Sequence, residues 1–417
     1  MSEKKRIMII AHFCDYGDEN TNNRFNYLAN MLASSGYDVE LITSSFSHRD
    51  KKQRKESFVV GPYKTTLIYE PAYHKNISFK RLFVSHRMMA ANLRKYLSSV
   101  EKPDLIYCAM PSINVSEVAA KYAEENKVPF FVDVQDLWPE AYKLILKNEI
   151  VYNLATKSMQ GRVDRVYAAA DQIIAVSETY AERAMRVNRK CKESLAVYLG
   201  TELAVFDRNV QENEPVVKKP EGEFWIGYCG TLGHSYDLSI VIYALQNLKK
   251  QGVENVRFIV IGSGPLEEQF KSLADELGVN FLFTGKLPYE KMCAQLCQCD
   301  IAVNPIAKGA AQSIINKHGD YAMAGLPVVN TQECKEYRDL LTKYECGINC
   351  EPESVEQVAE AILLLSRNRE LCAAMREKAR KMGTEKFERS KTYQEILLNI
   401  QGLLGFKTGT CGSMIRV

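Results

Sequence analysis

Short apolar runs alternate with stretches of helical spacing along most of the chain. Residues 6–12 form a compact apolar run suited to a buried parallel strand. Phe25, Leu28 and Leu32 then recur at helical spacing, and Gly36 stops that helix. A second strand is predicted over 38–43, and further strands over 104–108, 130–133 and 172–176, with helices over 115–126 and 178–187 between and after them. Strands alternating with helices of this length build a parallel sheet covered on both faces. Residues 207–223 interrupt the pattern with Asn, Glu, Gln, Lys, Pro215 and Pro220 and few large apolar side chains, which is the composition of a domain boundary. Beyond it the alternation restarts. Strands are predicted over 224–229, 257–261, 281–284, 301–304 and 328–330, and helices over 238–250, 265–277, 288–298 and 316–324. After Glu353 only helices are predicted, over 354–366, 368–383 and 389–404. The pattern therefore gives an α/β chain with domains at 1–206 and 224–388, a linker at 207–223, a terminal helix at 389–405 and a frayed tail at 406–417.

Composition narrows the function classes. Of the 417 residues, 46% are hydrophobic and 25% charged, as in ordinary globular proteins, and the length suffices for two separate cores. The formal charge is +3, split between 29 Lys/Arg against 23 Asp/Glu in residues 1–200 and 25 against 28 in the rest. A dedicated nucleic-acid binder needs a much stronger basic bias. The apolar run after Lys4, Lys5 and Arg6 is too short for a secretory segment, and no stretch nears the roughly 18 apolar residues of a membrane span. The expected location is the cytoplasm, with peripheral contact to the inner face of the cell membrane at most. Twelve cysteines are scattered through apolar stretches and read as small buried hydrophobes. Cys293, Cys297 and Cys299 have no second Cys/His pair at ligand spacing, so packing is the better reading than zinc.

One stripe changes the picture of the first domain. Across 78–98, Lys80, Arg87 and Arg94 recur every seven residues beside Arg81 and Lys95, while Phe79, Leu82, Phe83, Met89, Leu93 and Leu97 keep helical spacing. Two readings stand: a solvated helix face, or a surface that docks on anionic lipid.

In doubly wound domains, ligands bind beyond the carboxyl ends of the strands. The first turn of the second domain is Gly230-Thr231-Leu232-Gly233-His234-Ser235, and the next is Gly262-Ser263-Gly264-Pro265. Both could bring backbone N–H groups close to a phosphate, or serve packing alone. Asn316 is placed to cap the helix that carries Lys317 and Asp320. A helix N-terminus with an added cation attracts an anion, and Asp320 one turn in could accept hydrogen bonds from ribose hydroxyls. The first domain offers Asn23 and Arg24 at a helix start, and Gln135, Asp136 and Trp138 directly after an apolar strand. Carboxylate, amide and aromatic groups at a strand end suit carbohydrate binding.

These pieces, in order, resemble the retaining glycosyltransferases of family 4, and most closely the bacterial branch that builds capsule, O-antigen and exopolysaccharide. The resemblance runs from Arg6 to about Gln401. It is carried by the Arg24 helix start, Ser44-Ser45-Phe46-Ser47-His48, Asp136-Leu137-Trp138-Pro139-Glu140, Ala170-Asp171 to Val176-Ser177, Gly230-Thr231-Leu232-Gly233, Val260-Ile261-Gly262-Ser263-Gly264-Pro265, Gly285-Lys286-Leu287-Pro288, Cys299-Asp300-Ile301-Ala302, and Asn316-Lys317 to Gly325-Leu326-Pro327-Val328-Val329. It implies a GT-B fold, in which two Rossmann-like domains face each other across a cleft and the last helix returns to the first domain. It also implies a nucleotide-sugar donor in the second domain and a lipid-linked saccharide acceptor in the first, with sugar transfer under retention at C1.

The family's paired acidic positions fall on Gln312 and Asp320, the first for sugar hydroxyls and the second for ribose. The family's basic pair in the first donor loop has no counterpart in residues 230–236, which leaves Lys317, helix amides and Arg24 from across the cleft for the diphosphate. Lys317, Asp136 and Gln312 are thus the expected catalytic set. Gly230, Thr231, Gly262, Gly264, Gly285, Lys286, Asn316, Lys317 and Asp320 are expected at the donor, and Asn23, Arg24, Gln135, Asp136 and Trp138 at the acceptor. No metal or other cofactor is expected, because cations and amides can replace one at the diphosphate. Two alternatives remain at this level: a non-catalytic nucleotide-sugar-binding subunit, and a nucleotide-sugar epimerase on the same fold.

Overall fold

The predicted apolar runs of the first half assemble into one sheet. A computed structural model of the chain describes residues 4–15, 23–54, 61–75, 78–144, 146, 148–310 and 313–405. Gln312 and the tail 406–417 lie outside the described residues. The first sheet contains β1 (Arg6–Ile10), β2 (Asp38–Ser44), β3 (Lys64–Ile68), β4 (Leu105–Met110), β5 (Phe130–Val134), β6 (Gln172–Ala175) and β7 (Leu195–Ala196). Its strands are parallel and lie in the order β3-β2-β1-β4-β5-β6-β7. β1 shows why an unbroken apolar run is needed. Met8 and Ile10 enter the core that holds Met89 and Leu93, while Ile7 and Ile9 enter the opposite core with Phe25 and Leu28. A strand covered by helices on both faces has no polar side to show.

The second sheet repeats this plan with β8 (Phe224–Cys229), β9 (Val256–Ile261), β10 (Phe281–Gly285), β11 (Ile301–Asn304), β12 (Val328–Asn330) and β13 (Gly347–Asn349), in the parallel order β10-β9-β8-β11-β12-β13. Each sheet grows one way from its first strand and then the other way, so each has a crevice at that reversal, above the carboxyl ends of its strands.

Several elements depart from the predicted ones. β3, β7 and β13 carry no long apolar run: β7 has two residues, and β13 has three that are only half-buried. The Glu149–Ala169 helix buries Tyr152, Thr156, Val163, Val166 and Tyr167 while Ile150 and Leu154 stay exposed, which blurs its stripe. The expected linker begins inside a helix, Leu203–Glu212, because Phe206 is anchored in the second domain's core. Asn316 is the first residue of its helix rather than the cap, a place held by Ile315.

The chain crosses between domains twice, side by side. On the way out Thr201 donates its N–H to the carbonyl of Phe387, which lies on the way back, at 2.8 Å. The terminal segment then packs on the first domain, with Tyr393, Ile396 and Ile400 buried against the Ile7, Phe25 and Leu28 core.

Candidate functional site

The second domain supplies a buried cation at the end of β8. Gly230 and Gly262 both have positive φ, and their loops pack backbone on backbone. A Cβ on Gly262 would stand 1.8 Å from the Gly230 carbonyl oxygen, and one on Gly264 would stand 2.3 Å from that of Leu232. A Cβ on Gly230 would meet the Lys317 ammonium at 3.0 Å. Lys317 thus sits directly beneath the first turn, at the start of the Asn316–Met323 helix. Its Nζ lies 4.0 Å from the centre of the Tyr228 ring and 3.9 Å from that of Tyr236, and it has no hydrogen-bond partner. Ring faces favour a cation. Burial nonetheless opposes the charge and pulls the Lys317 pKa down to about 7, against a small opposing effect of Cys229.

One turn further on, the Asp320 carboxylate accepts hydrogen bonds from Thr201 Oγ1 at 3.1 Å and Tyr289 OH at 2.9 Å. Both end on Oδ1, and Oδ2 carries neither. Burial raises the Asp320 pKa to about 6, with the Tyr289 and Thr201 hydrogen bonds acting the other way. Ile315, which precedes the helix, donates its N–H to His318 Nδ1 at 3.3 Å, so a histidine side chain satisfies the helix entry.

The first domain faces this half with Gln135 and Asp136 at the end of β5, Tyr180, Leu199, and Arg49 on the Phe46–Ser47/Lys52–Gln53 hairpin. Together the two halves enclose a cavity of about 810 Å³. Asp136 is fixed by its own neighbours, accepting from Leu137 N–H at 2.9 Å and Trp138 Nε1 at 3.1 Å, and burial raises its pKa. The arrangement can hold an elongated polyanion whose charge lies at Lys317 and whose far end meets a carboxylate.

Of the residues expected from sequence, Gly230, Thr231, Gly262, Lys286, Asn316, Lys317, Asp320, Gln135 and Asp136 line this cavity. Gly264, Gly285, Asn23, Arg24 and Trp138 do not line it, and Gln312 falls outside the described residues. Arg24 is the largest departure. Its guanidinium is buried, donating to Asp133 at 2.7 and 3.3 Å, to the Val197 carbonyl at 2.8 Å and to Tyr393 OH at 3.1 Å. It ties the first helix and sheet to the returning terminal segment. Asn23 caps the Arg24–Ser34 helix through the N–H groups of Phe25 and Asn26. Trp138 does not line the cavity: its ring stacks on His86 at 6.3 Å and meets Tyr142 at a tilt at 5.8 Å, while its Nε1 holds Asp136.

Arg49, Tyr180, Tyr236, Leu287 and Met292 line the cavity without having been expected there. Tyr228 and Tyr236 flank the Gly230 turn on both sides, and that pairing was the readable signal for a cation cage. Cys293 and Cys299 are buried in the second domain's core. Among the described residues, His12, Glu70 and His86 form the group whose ligand-type atoms lie within 4.8 Å of one another. His12 Nε2 is already joined to Glu70 at 2.7 Å and Nδ1 to Ser112 Oγ at 2.7 Å, and the group does not line the cavity.

Comparison with known proteins agrees with this architecture. The model described as Glycosyltransferase Family 4 matches residues 22–197, and that described as Glycosyl transferases group 1 matches residues 209–382. The uncharacterized glycosyltransferase MJ1069 of Methanocaldococcus jannaschii is 24% identical over 231 residues, which is 55% of this chain and 58% of that relative's length. Among solved structures, sucrose-phosphate synthase from Thermosynechococcus elongatus superposes with a TM-score of 0.73 at 15% identity, covering 96% of this chain and 100% of that one. Anabaena Alr3699/HepE in complex with UDP-glucose gives a TM-score of 0.64 at 14% identity, covering 95% of this chain and 99% of that one. At these identities the structural likeness establishes the fold.

Proposed function

We propose that this chain, whose two halves match the Glycosyltransferase Family 4 and Glycosyl transferases group 1 models over residues 22–197 and 209–382, is a GT-B glycosyltransferase that moves a sugar from a nucleotide-sugar to a lipid-linked saccharide, with retention at C1, in the assembly of bacterial surface polysaccharide. The observation that carries the reading is the Lys317 ammonium, buried and without a hydrogen-bond partner between two tyrosine rings, at the floor of an interdomain cavity. A buried lysine left in that state is costly unless a ligand brings the counter-charge. The relative solved with UDP-glucose supports a donor of that class.

Breaking the bond from C1 to phosphate leaves positive charge on the sugar and negative charge on the diphosphate. Lys317 is aimed where the negative charge grows, so its interaction strengthens as the bond breaks. The Gly230 and Gly262 turns line the cavity beside it, although the N–H groups of Gly230 and Gly262 are themselves held by the Ile261 and Gly285 carbonyls, and Lys286 adds a second cation at the cavity wall. Asp320 has Oδ2 free of its Thr201 and Tyr289 bonds to accept from ribose hydroxyls, and Gln312 is assigned to the sugar hydroxyls. Asp136 and Gln135 hold the acceptor hydroxyl on the leaving-group face, and the departing phosphate takes its proton. No protein nucleophile is required on this route.

Thermal-shift screening with UDP-, GDP- and dTDP-sugars identifies the donor, and a transfer assay with a lipid-linked saccharide tests the reaction. The anomeric configuration of the product, read by NMR, tests retention. Lys317→Ala is expected to lower turnover by about 10²–10³-fold. Near-normal turnover of that variant would remove Lys317 from the site.

A further inference from the structure

The stretch predicted as one helix over 78–98 forms a π-helical segment, Lys80–Ser85, continued by an α-helix, His86–Ser99, and its faces divide differently from the simple stripe. Met89, Leu93 and Leu97 are buried in the first domain's core, whereas Phe79, Phe83, Val84 and Met88 are exposed, Phe79 at 73%. Phe79 and Phe83 stack on each other at 4.7 Å in the open, and the Arg87 guanidinium covers Phe83 at 5.4 Å. A second exposed apolar cluster starts the Glu149–Ala169 helix: Ile150 at 72%, Leu154 at 75%, and Val151 between them. These clusters hold seven of the thirteen exposed large apolar side chains among the described residues, and the others are mostly scattered singly. Scattered apolar residues are normal on a surface, whereas gathered ones mark a contact.

Topology puts the two clusters on one rim. The first helix follows β3 and the second follows β5, so both begin at the carboxyl ends of the strands. Both helices pack against the Ile113–Asn126 helix, which places them on the same face of the sheet. Trp138 and Tyr142 lie between the two tips, and Trp138 is two residues from Asp136 in the cavity wall. The surrounding charge has one dominant sign. Residues 78–98 contain no Asp or Glu, and Lys80, Arg87, Lys143 and Lys157 are exposed, against Glu149 at the second tip.

We propose that the two helix tips form a single docking surface for a bilayer carrying anionic headgroups, and that it sets the acceptor mouth of the cleft against the membrane. No described helix is long and apolar enough to cross a membrane, so the contact is made from one side. Aromatic and aliphatic side chains enter the headgroup boundary while the basic residues meet the headgroups. The inference rests on the lipid-linked acceptor proposed above, because a substrate held in a bilayer must be met at its surface.

The test uses the full chain and vesicles without donor or acceptor. Flotation with equal parts phosphatidylglycerol and phosphatidylcholine is compared with phosphatidylcholine alone. The wild type is expected to float with the anionic vesicles and far more weakly with the neutral ones. The pairs Phe79→Ser with Phe83→Ser, Ile150→Ser with Leu154→Ser, and Lys80→Glu with Arg87→Glu are each expected to weaken binding by about tenfold or more, with unchanged melting temperature and unchanged nucleotide binding. A wild type that floats with neither vesicle overturns the proposal, as does binding that survives all three pairs. Self-association of the wild type that these same substitutions dissolve also overturns it, by making the patch a protein interface. Vesicle binding that persists when no sugar transfer is found would sink the transferase reading and leave the docking surface standing.

Discussion

Lys317 and Arg24 are both buried cations of one chain, and their surroundings give them opposite roles. Arg24 is neutralised by Asp133 and hydrogen-bonded to the returning segment, so it behaves as structure. Arg24→Met strands the Asp133 carboxylate and is expected to lose about 3–5 kcal/mol of stability in denaturant unfolding. If Arg24 instead served the acceptor, stability would hold and acceptor KM would rise. Lys317 has no such partner, and burial lowers its pKa to about 7 from the ordinary 10.5. The unfolded chain therefore binds more protons at this site between pH 7 and 10.5. The penalty of burying the charge is full below pH 7 and fades as the pH climbs to 10.5. Lys317→Met is accordingly expected to melt at higher temperature than the wild type at pH 6 to 7, with the gain shrinking by about pH 10, as read by thermal melts across pH.

At the scale of elements, the glycine turns after β8 and β9 were legible as turns, but their purpose was not. The sequence allowed either phosphate approach or packing, and the structure assigns much of the requirement to packing. Gly262 must lack a Cβ because the Gly230 carbonyl occupies that space. Gly285 also has positive φ, at +71°, but a Cβ there meets nothing within 4 Å. Gly262→Ala is expected to cost on the order of 3 kcal/mol, and Gly285→Ala about 1 kcal/mol, in equilibrium unfolding. Equal costs would show that backbone conformation, rather than the neighbouring loop, governs both sites. The 78–98 helix teaches the same lesson. Its spacing gave the helix, but only packing decided that Met89 goes inward and Phe83 outward.

Across the whole molecule, the cavity depends on how the domains are held together. Glu336 of the second domain reaches the first turn of the Glu178–Met185 helix in the first, accepting from Glu178 N–H at 2.9 Å and from Thr179 N–H and Oγ1 at 3.4 and 3.3 Å. A carboxylate from one domain thus caps a helix of the other, next to Tyr180 in the cavity wall. Glu336→Ala is expected to weaken the closed arrangement by about 1–2 kcal/mol and to raise donor KM about five- to tenfold, with a larger radius of gyration in small-angle scattering. An unchanged KM and radius would show that the crossing segments alone hold the cleft.

The amino-acid pattern determined the central strands of the two parallel sheets, because strands buried on both faces read as near-continuous apolar runs, as in residues 7–10 and 224–229, whereas the outer strands β3, β7 and β13 carry none. It also placed Lys317, Asp320 and Asp136 at strand ends or helix starts, where a doubly wound domain opens to ligand. Other features depend on side chains far apart in the chain. Tertiary packing alone decided that Arg24 meets Asp133, 109 residues on, instead of the cleft. It also set two tyrosines around a lysine 81 to 89 residues away from them, and brought Arg49 and Met292 to one cavity. Local spacing fixes what an element is, whereas which of its apolar side chains turn inward, and what neutralises a buried charge, depend on which distant surfaces the fold brings within a few ångströms.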